Sequence, residues 1–136
     1  MLVTVNVFCI SKKDYETFKN AGADESTLLL SENGANHKRF TYRSEALKPD
    51  RSLYLGQIYH RKKQWLYQGI ESIDYVGKDT GATPFDQSKN YLGEWSDDYK
   101  REHFTDFASL VLLSDGENGT PLVVKEAIIN GLGVVI

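Results

Sequence analysis

The 136-residue chain is poor in cysteine and in positive charge, and it lacks a long apolar run. Its single cysteine, Cys9, allows neither an intramolecular disulfide nor a thiolate metal cluster. Its place in an apolar stretch makes it a buried structural thiol, and a reducing, cytosolic setting is expected. Lys and Arg number 16 against 19 Asp and Glu, a formal net charge of −3. That balance supplies none of the positive field that draws a protein to a phosphate backbone, so no nucleic-acid partner is expected. The opening MLVTVNVFCISKK has no basic segment before its apolar stretch, which is about half the length needed to cross a bilayer. Neither a signal peptide nor an integral membrane segment is expected. There is no GxGxxG and no GxxxxGK[ST], which removes the dinucleotide fingerprint and the P-loop. His37, His60 and His103 lack ligand spacing and read as scattered surface histidines, with no metal site. Asn118-Gly119-Thr120 reads as a chance sequon, and Lys78-Asp79-Thr80-Gly81 has the wrong order for a phospho-aspartate motif and reads as a loop.

What is present is an ordinary globular balance, 40% hydrophobic and 26% charged, in a length that suits one domain or a piece of something larger. Leu2 to Ile10 is apolar and rich in β-branched residues, which predicts a strand covered on both faces. Ser11 and Asp14 form a variant capping box and Gly22 suits a helix end, so Ser11 to Ala21 reads as a helix with Tyr15 and Phe18 on one face. Leu28 to Leu30 gives a short strand, Asn33-Gly34 a turn, and Ala35 to Arg51 a connecting loop. Ser52 to Gln57 reads as strand, His60 to Tyr67 as helix, Ile70 to Val76 as an alternating strand and Tyr91 to Trp95 as a short strand. Ser96 caps a helix that starts with Asp97 and Asp98 and carries Tyr99, His103 and Phe107 along one face. Leu110 to Leu113 is a buried strand, Pro121 takes the first helical position, Gly131 ends that helix, and Val134 to Ile136 begins another strand. The alternation predicts an α/β fold, Rossmann-like, with a mainly parallel sheet flanked by helices.

The stretch from Phe107 to Ile136 carries the most chemistry. A buried strand, a polar glycine-containing loop and a proline-started helix follow one another there. Such a loop presents helix N-terminal N–H groups beyond the strand's carboxyl end, where an anionic ligand is the natural guest. Glu126 follows on the same helix and suits a ligand's hydroxyl pair, although a solvated helical glutamate is the commoner case on residue statistics.

This stretch resembles the donor-binding domain of retaining GT-B glycosyltransferases of the family-4-like group, whose hallmark is S-x-x-E-G-x-P-x-x-x-x-E-A followed by G-x-P-V-V. Here Ser114 to Ala127 reads SDGENGTPLVVKEA, and Gly131 to Val135 reads GLGVV. Upstream, Val7 to Ser11 resembles the family's "ADxVIAVS" strand end and Asn33 to Phe40 resembles N-G-V-D-x-x-x-F. Leu53 to Lys62 resembles "ILYVGRLxxEKG" and Tyr91 to Trp95 resembles "FLGxV". The resemblance implies that residues 1–51 close the family's N-terminal domain and that 52–136 form part of its nucleotide-sugar domain, folded as one unit. It implies a nucleoside-diphosphate sugar as donor substrate rather than a separate cofactor, and transfer of a hexose with retention. By the same resemblance the donor is met by Gly56, Gln57 and Lys62, with Lys62 on the diphosphate. Main chain at Gly93, Glu94 and Trp95 meets the base, Gly119, Thr120, Leu122 and Val123 meet phosphate oxygens, and Glu126 meets the ribose. Lys62, Glu117 and Asn118 fall at the catalytic positions.

The sequence departs from the family at Gln57, where the family has arginine, with Arg61 and Lys63 as neighbouring cations, and at Asn118, the first position of the family's E-x7-E pair. The acceptor domain with its histidine is not matched. A noncatalytic nucleotide or sugar-phosphate binding module is therefore the alternative, and a flavodoxin-like interaction domain a third. The apolar stretches Leu2 to Ile10 and Val134 to Ile136 need cover from rearranged packing or from another chain, a second copy included.

Overall fold

The computed structural model describes residues 5–31, 34–115 and 120–136. Leu2 to Thr4 of the first expected strand, Asn33 of the expected turn, and Glu117, Asn118 and Gly119 lie outside the described residues.

The chain opens with a small βαβ unit. Strands β1 (Val7–Cys9) and β2 (Leu28–Leu30) pair in parallel, with Val7 opposite Leu28, and helix α1 (Lys12–Asn20) connects them. Ser11 caps α1 as its sequence predicts. Its Oγ accepts from the Asp14 N–H at 3.1 Å and donates to the Asp14 carboxylate at 2.7 Å. The expectation of a strand covered on both faces is corrected: Cys9 is buried, while Phe8 is 67% exposed. A two-stranded sheet with one helix has cover for one face only.

The main sheet is formed by β3 (Lys48–Leu55), β4 (Ile73–Val76), β5 (Phe107–Val111) and β6 (Gly133–Val135), all parallel in the order β4-β3-β5-β6. Helices α2 (Asp97–His103) and α3 (Leu122–Ile129) supply the crossovers on either side of β5. Strand β3 begins at Lys48, inside the expected loop, and takes in Pro49. Its register against β5 shifts between Lys48 and Ser52, so the proline's missing N–H falls where the ladder is irregular. Leu53 and Tyr54 are both fully buried, which marks a strand covered on both faces, and all of β4 is buried as well. Asp74 of β4, expected on the polar side of an alternating strand, is instead buried against the Arg51 guanidinium.

Other boundaries move for identifiable reasons. His60 to Tyr67 forms two 3-10 turns, His60–Lys62 and Gln64–Leu66, separated by Lys63 at φ +55, and not one helix. Tyr91 to Trp95 makes a single parallel bridge, from Tyr91 to Tyr75, and no strand, with Gly93 at φ +81. A 3-10 turn, Phe104–Asp106, follows α2, so Phe107 belongs to β5 and not to the helix face. Pro121 is the cap of α3, one position before its first helical residue. The core joins Leu53, Tyr54, Tyr75, Phe104, Phe107 and Leu110, each at most 2% exposed and each contributing about 1.5–3 kcal/mol by burial. Among the described residues no helix is long and apolar enough to cross a membrane.

Candidate functional site

The chain leaves β3 for β4 on one side and later returns to β5 on the other, so the strand order reverses beside β3. A crevice opens beyond the carboxyl ends of strands at such a point. Here a cavity of about 690 Å³ is lined by Leu55, Gly56 and Gln57 after β3, by Val76, Gly77 and Lys78 after β4, by Glu94 to Asp97 at the start of α2, and by Lys62, Lys100 and Val123.

Main-chain packing builds the floor. The Gly56 N–H donates to the Val76 carbonyl at 2.9 Å and the Gly77 N–H to the Gly93 carbonyl at 3.0 Å. A Cβ on Gly77 would lie 2.1 Å from the Gly56 carbonyl oxygen, so only glycine fits where the two strand ends meet. The wall that carries Lys62 is fixed by two buried polar side chains. Tyr54 donates its hydroxyl to the Lys62 carbonyl and accepts from the Leu113 N–H at 3.0 Å. Gln64 donates its amide to the Gln57 carbonyl at 3.0 Å.

The charged groups divide between those that line the cavity and those that do not. Lys62, Lys78 and Lys100 face the cavity together with Glu94 and Asp97. Asp97 is held by Arg39 and, at 2.7 Å, by Arg101. Arg61 and Lys63 line no part of the cavity. The Lys63 ammonium lies 2.6 Å from the Asp115 carboxylate, a bond that raises its pKa, and Arg61 reaches the Asp115 carbonyl. They fasten the loop after β3 to the loop after β5. Glu126 is 2% exposed, so the solvated helical glutamate is not what the fold contains. Its Oε2 lies 2.7 Å from Lys100 Nζ and its Oε1 lies 3.7 Å from Arg39 Nη1.

Of the residues singled out from sequence, Gly56, Gln57, Lys62, Glu94, Trp95 and Val123 line this one cavity. Gly93 lies at its rim with its carbonyl bonded to Gly77. Glu126 stands behind Lys100. Thr120 lines a separate, mostly apolar cavity of about 320 Å³ with Leu112, Pro121 and Ile136, and Leu122 is 44% exposed. The sequence reading took Lys78 for part of a loop and gave no role to Gly77, Lys100 or Arg39. Gly77 had a signal, since it closes a strand just as Gly56 does. Arg39 precedes Phe40 in a block already matched, but Lys100 and Glu126 lie 26 positions apart and only the fold brings them together.

A further cavity of about 510 Å³ shares Glu94, Trp95 and Ser96 but opens by Lys48 and Phe107, at the amino ends of β3 and β5, away from the usual ligand position. His103 lies there, with Nδ1 2.8 Å from the buried Asp106 carboxylate, so it is not a loose surface histidine.

No protein-family profile and no curated protein sequence matches the chain. Solved structures do. The lipopolysaccharide outer core galactosyltransferase WaaB, in its apo form, superposes with a TM-score of 0.63 at 18% identity over 95% of this chain and 42% of its own. A mutant of S. aureus TarM in complex with fondaparinux, alpha-GlcNAc-glycerol and UDP gives 0.69 at 14% identity, over 95% of this chain and 29% of its own. A second TarM crystal structure gives 0.66 at 13%, with coverages of 95% and 28%. The chain thus spans less than half the length of each of these glycosyltransferases. At such identities the likeness speaks for fold alone: an α/β fold with parallel sheets flanked by helices, similar to the matched part of these glycosyltransferases.

Proposed function

We propose that the chain is the nucleotide-sugar-binding portion of a retaining glycosyltransferase, which moves a hexose from a nucleoside-diphosphate sugar to an acceptor and is incomplete by itself. The observation that carries this reading is the convergence of Gly56, Gln57, Lys62, Glu94, Trp95 and Val123 on one cavity at the carboxyl ends of the strands. Lys62 and the first turn of α3 at Val123, which share the cavity, meet the diphosphate, a role the resemblance extends to Gly119, Thr120 and Leu122, although Thr120 lines the separate apolar cavity. Main chain at Gly93 to Trp95 meets the base, and Glu126 meets the ribose. Lys62 stabilises the departing diphosphate electrostatically, and Asn118 and Glu117 fall at the family's other catalytic positions by resemblance alone. The separate β1–β2 sheet supports reading only the opening of the chain as the close of a preceding domain; the expected boundary at 51/52 falls inside β3 and Phe40 already packs in the main core, so the donor-binding part takes in residues before 52.

A second reading, a noncatalytic nucleotide or sugar-phosphate binding module, is favoured by Gln57 at the cavity wall and by the engagement of Arg61 and Lys63 with Asp115. Calorimetry of the chain with UDP, GDP and ADP at millimolar concentration tests both readings. Binding of at least one is expected, and binding of none overturns both. For the ligand that binds, Lys62→Ala is expected to weaken affinity about tenfold and Glu126→Gln about fivefold. Unchanged affinity in both variants undoes the site assignment. Turnover of labelled nucleotide sugar by the chain alone would show that it is a complete enzyme.

A further inference from the structure

The nucleotide-binding reading leaves one arrangement unexplained: the carboxylate assigned to the ribose does not reach the cavity. Glu126 has a side chain only 3% exposed, and Lys100, which does line the cavity, covers it with an ammonium 2.7 Å from Oε2. Lys100 is itself tethered. It projects from α2, with Nζ 5.5 and 5.7 Å from the ring centroids of Phe40 and Phe104, so aromatic faces as well as Glu126 hold the cation. Arg39 approaches the other oxygen of Glu126 at 3.7 Å and is anchored by its second ion pair, to Asp97.

We propose that Lys100 makes recognition of the ribose conditional on the phosphates: its ammonium leaves Glu126 for the phosphate oxygens of a bound nucleoside diphosphate, and that exchange opens Glu126 to the sugar hydroxyls. The inference rests on the nucleotide-binding reading above. Three features support it. Lys100 shares the cavity with Lys62 and Val123, the groups assigned to the diphosphate, and a lysine's flexible four-carbon stem permits a change of partner. A phosphate replaces a carboxylate as the charged acceptor, so the ammonium stays paired throughout. Arg39 remains beside Glu126 after Lys100 leaves, so the buried carboxylate keeps a counter-charge. Lys100 thereby acts as a positioning residue through Glu126 and as a phosphate ligand in its own right.

The test uses the whole chain and calorimetry with UDP, GDP and ADP, the matching nucleosides, and the 2′-deoxy form of each. If no diphosphate binds the unmodified chain, the functional reading itself fails. For a diphosphate that binds, removal of the 2′-hydroxyl is expected to weaken the diphosphate more than the nucleoside, because only the diphosphate uncovers Glu126. Equal penalties overturn the proposal without recourse to any variant. Lys100→Met is expected to lower diphosphate affinity about tenfold while leaving nucleoside affinity equal or higher, with Lys100→Arg restoring the diphosphate. A parallel loss for nucleoside and diphosphate, or no loss for either, overturns it.

Discussion

Tyr75 carries a polar group into the driest part of the molecule. It is fully buried between Tyr54 and Phe85, and among the described residues its hydroxyl has no hydrogen-bond partner. Burial pushes its pKa from the ordinary 10.0 up to about 12. The folded chain thus holds this proton more tightly than the unfolded chain. The stability that follows is complete below pH 10.0 and is lost as pH rises through about 12. Thermal melts from neutral to strongly alkaline pH are expected to show less alkaline loss in Tyr75→Phe than in the unmodified chain. At neutral pH the substitution is expected to leave stability unchanged or raise it by up to ~1 kcal/mol, because it removes an unpaired hydroxyl without opening a cavity. A loss well beyond that at neutral pH would mean that the hydroxyl has a partner.

At the scale of elements, the junction of β3 and β4 is the tightest contact around the cavity. Gly77→Ala would press a methyl group against the Gly56 carbonyl, and because both atoms belong to strand ends neither can turn aside. A loss of about 3 kcal/mol is expected in denaturant unfolding, together with weaker nucleotide binding, since Gly56 and Gly77 share the cavity floor. Stability and affinity close to those of the unmodified chain would show that the strands can part freely there.

Elements defined by local chemistry were legible in the sequence. Ser11 and Ser96 bind their own helices' N–H groups three residues on, and Gly22 and Gly131 take positive φ just past the ends of α1 and α3. Elements defined by distant partners were not. Tyr91 to Trp95 has strand composition but meets β4 at one bridge, and Pro49 falls inside a strand because β5 accommodates it. The candidate site follows the same division. Gly56, Gln57 and Lys62 were found because they follow one another in a recognisable block. The pairing of Lys100 and Arg39 with Glu126 joins three separate segments and leaves no local trace.

At the scale of the whole molecule, exposed apolar side chains lie at two sheet edges among the described residues. On and just past the β1–β2 sheet Phe8 is 67%, Ile10 48% and Leu30 50% exposed, and just past the edge strand β6 Ile136 is 80% exposed. Surface of this kind favours association or the cover of another polypeptide. Light scattering is expected to give a mass that rises with concentration for the isolated chain and falls back for a Phe8→Glu, Leu30→Glu double variant. A concentration-independent monomer mass for the unmodified chain would argue against self-association.

The central strand pair has a consequence for how the chain is made. Ser52 and Ser109 meet across β3 and β5, hydroxyl to hydroxyl at 2.7 Å, although 57 positions separate them. During synthesis β3 can acquire β4 early, but its other edge has no partner until β5 has left the ribosome. Until then that edge is open to wrong pairing with a neighbour, and slower translation of the residues between β4 and β5 lengthens the time for which it stays open.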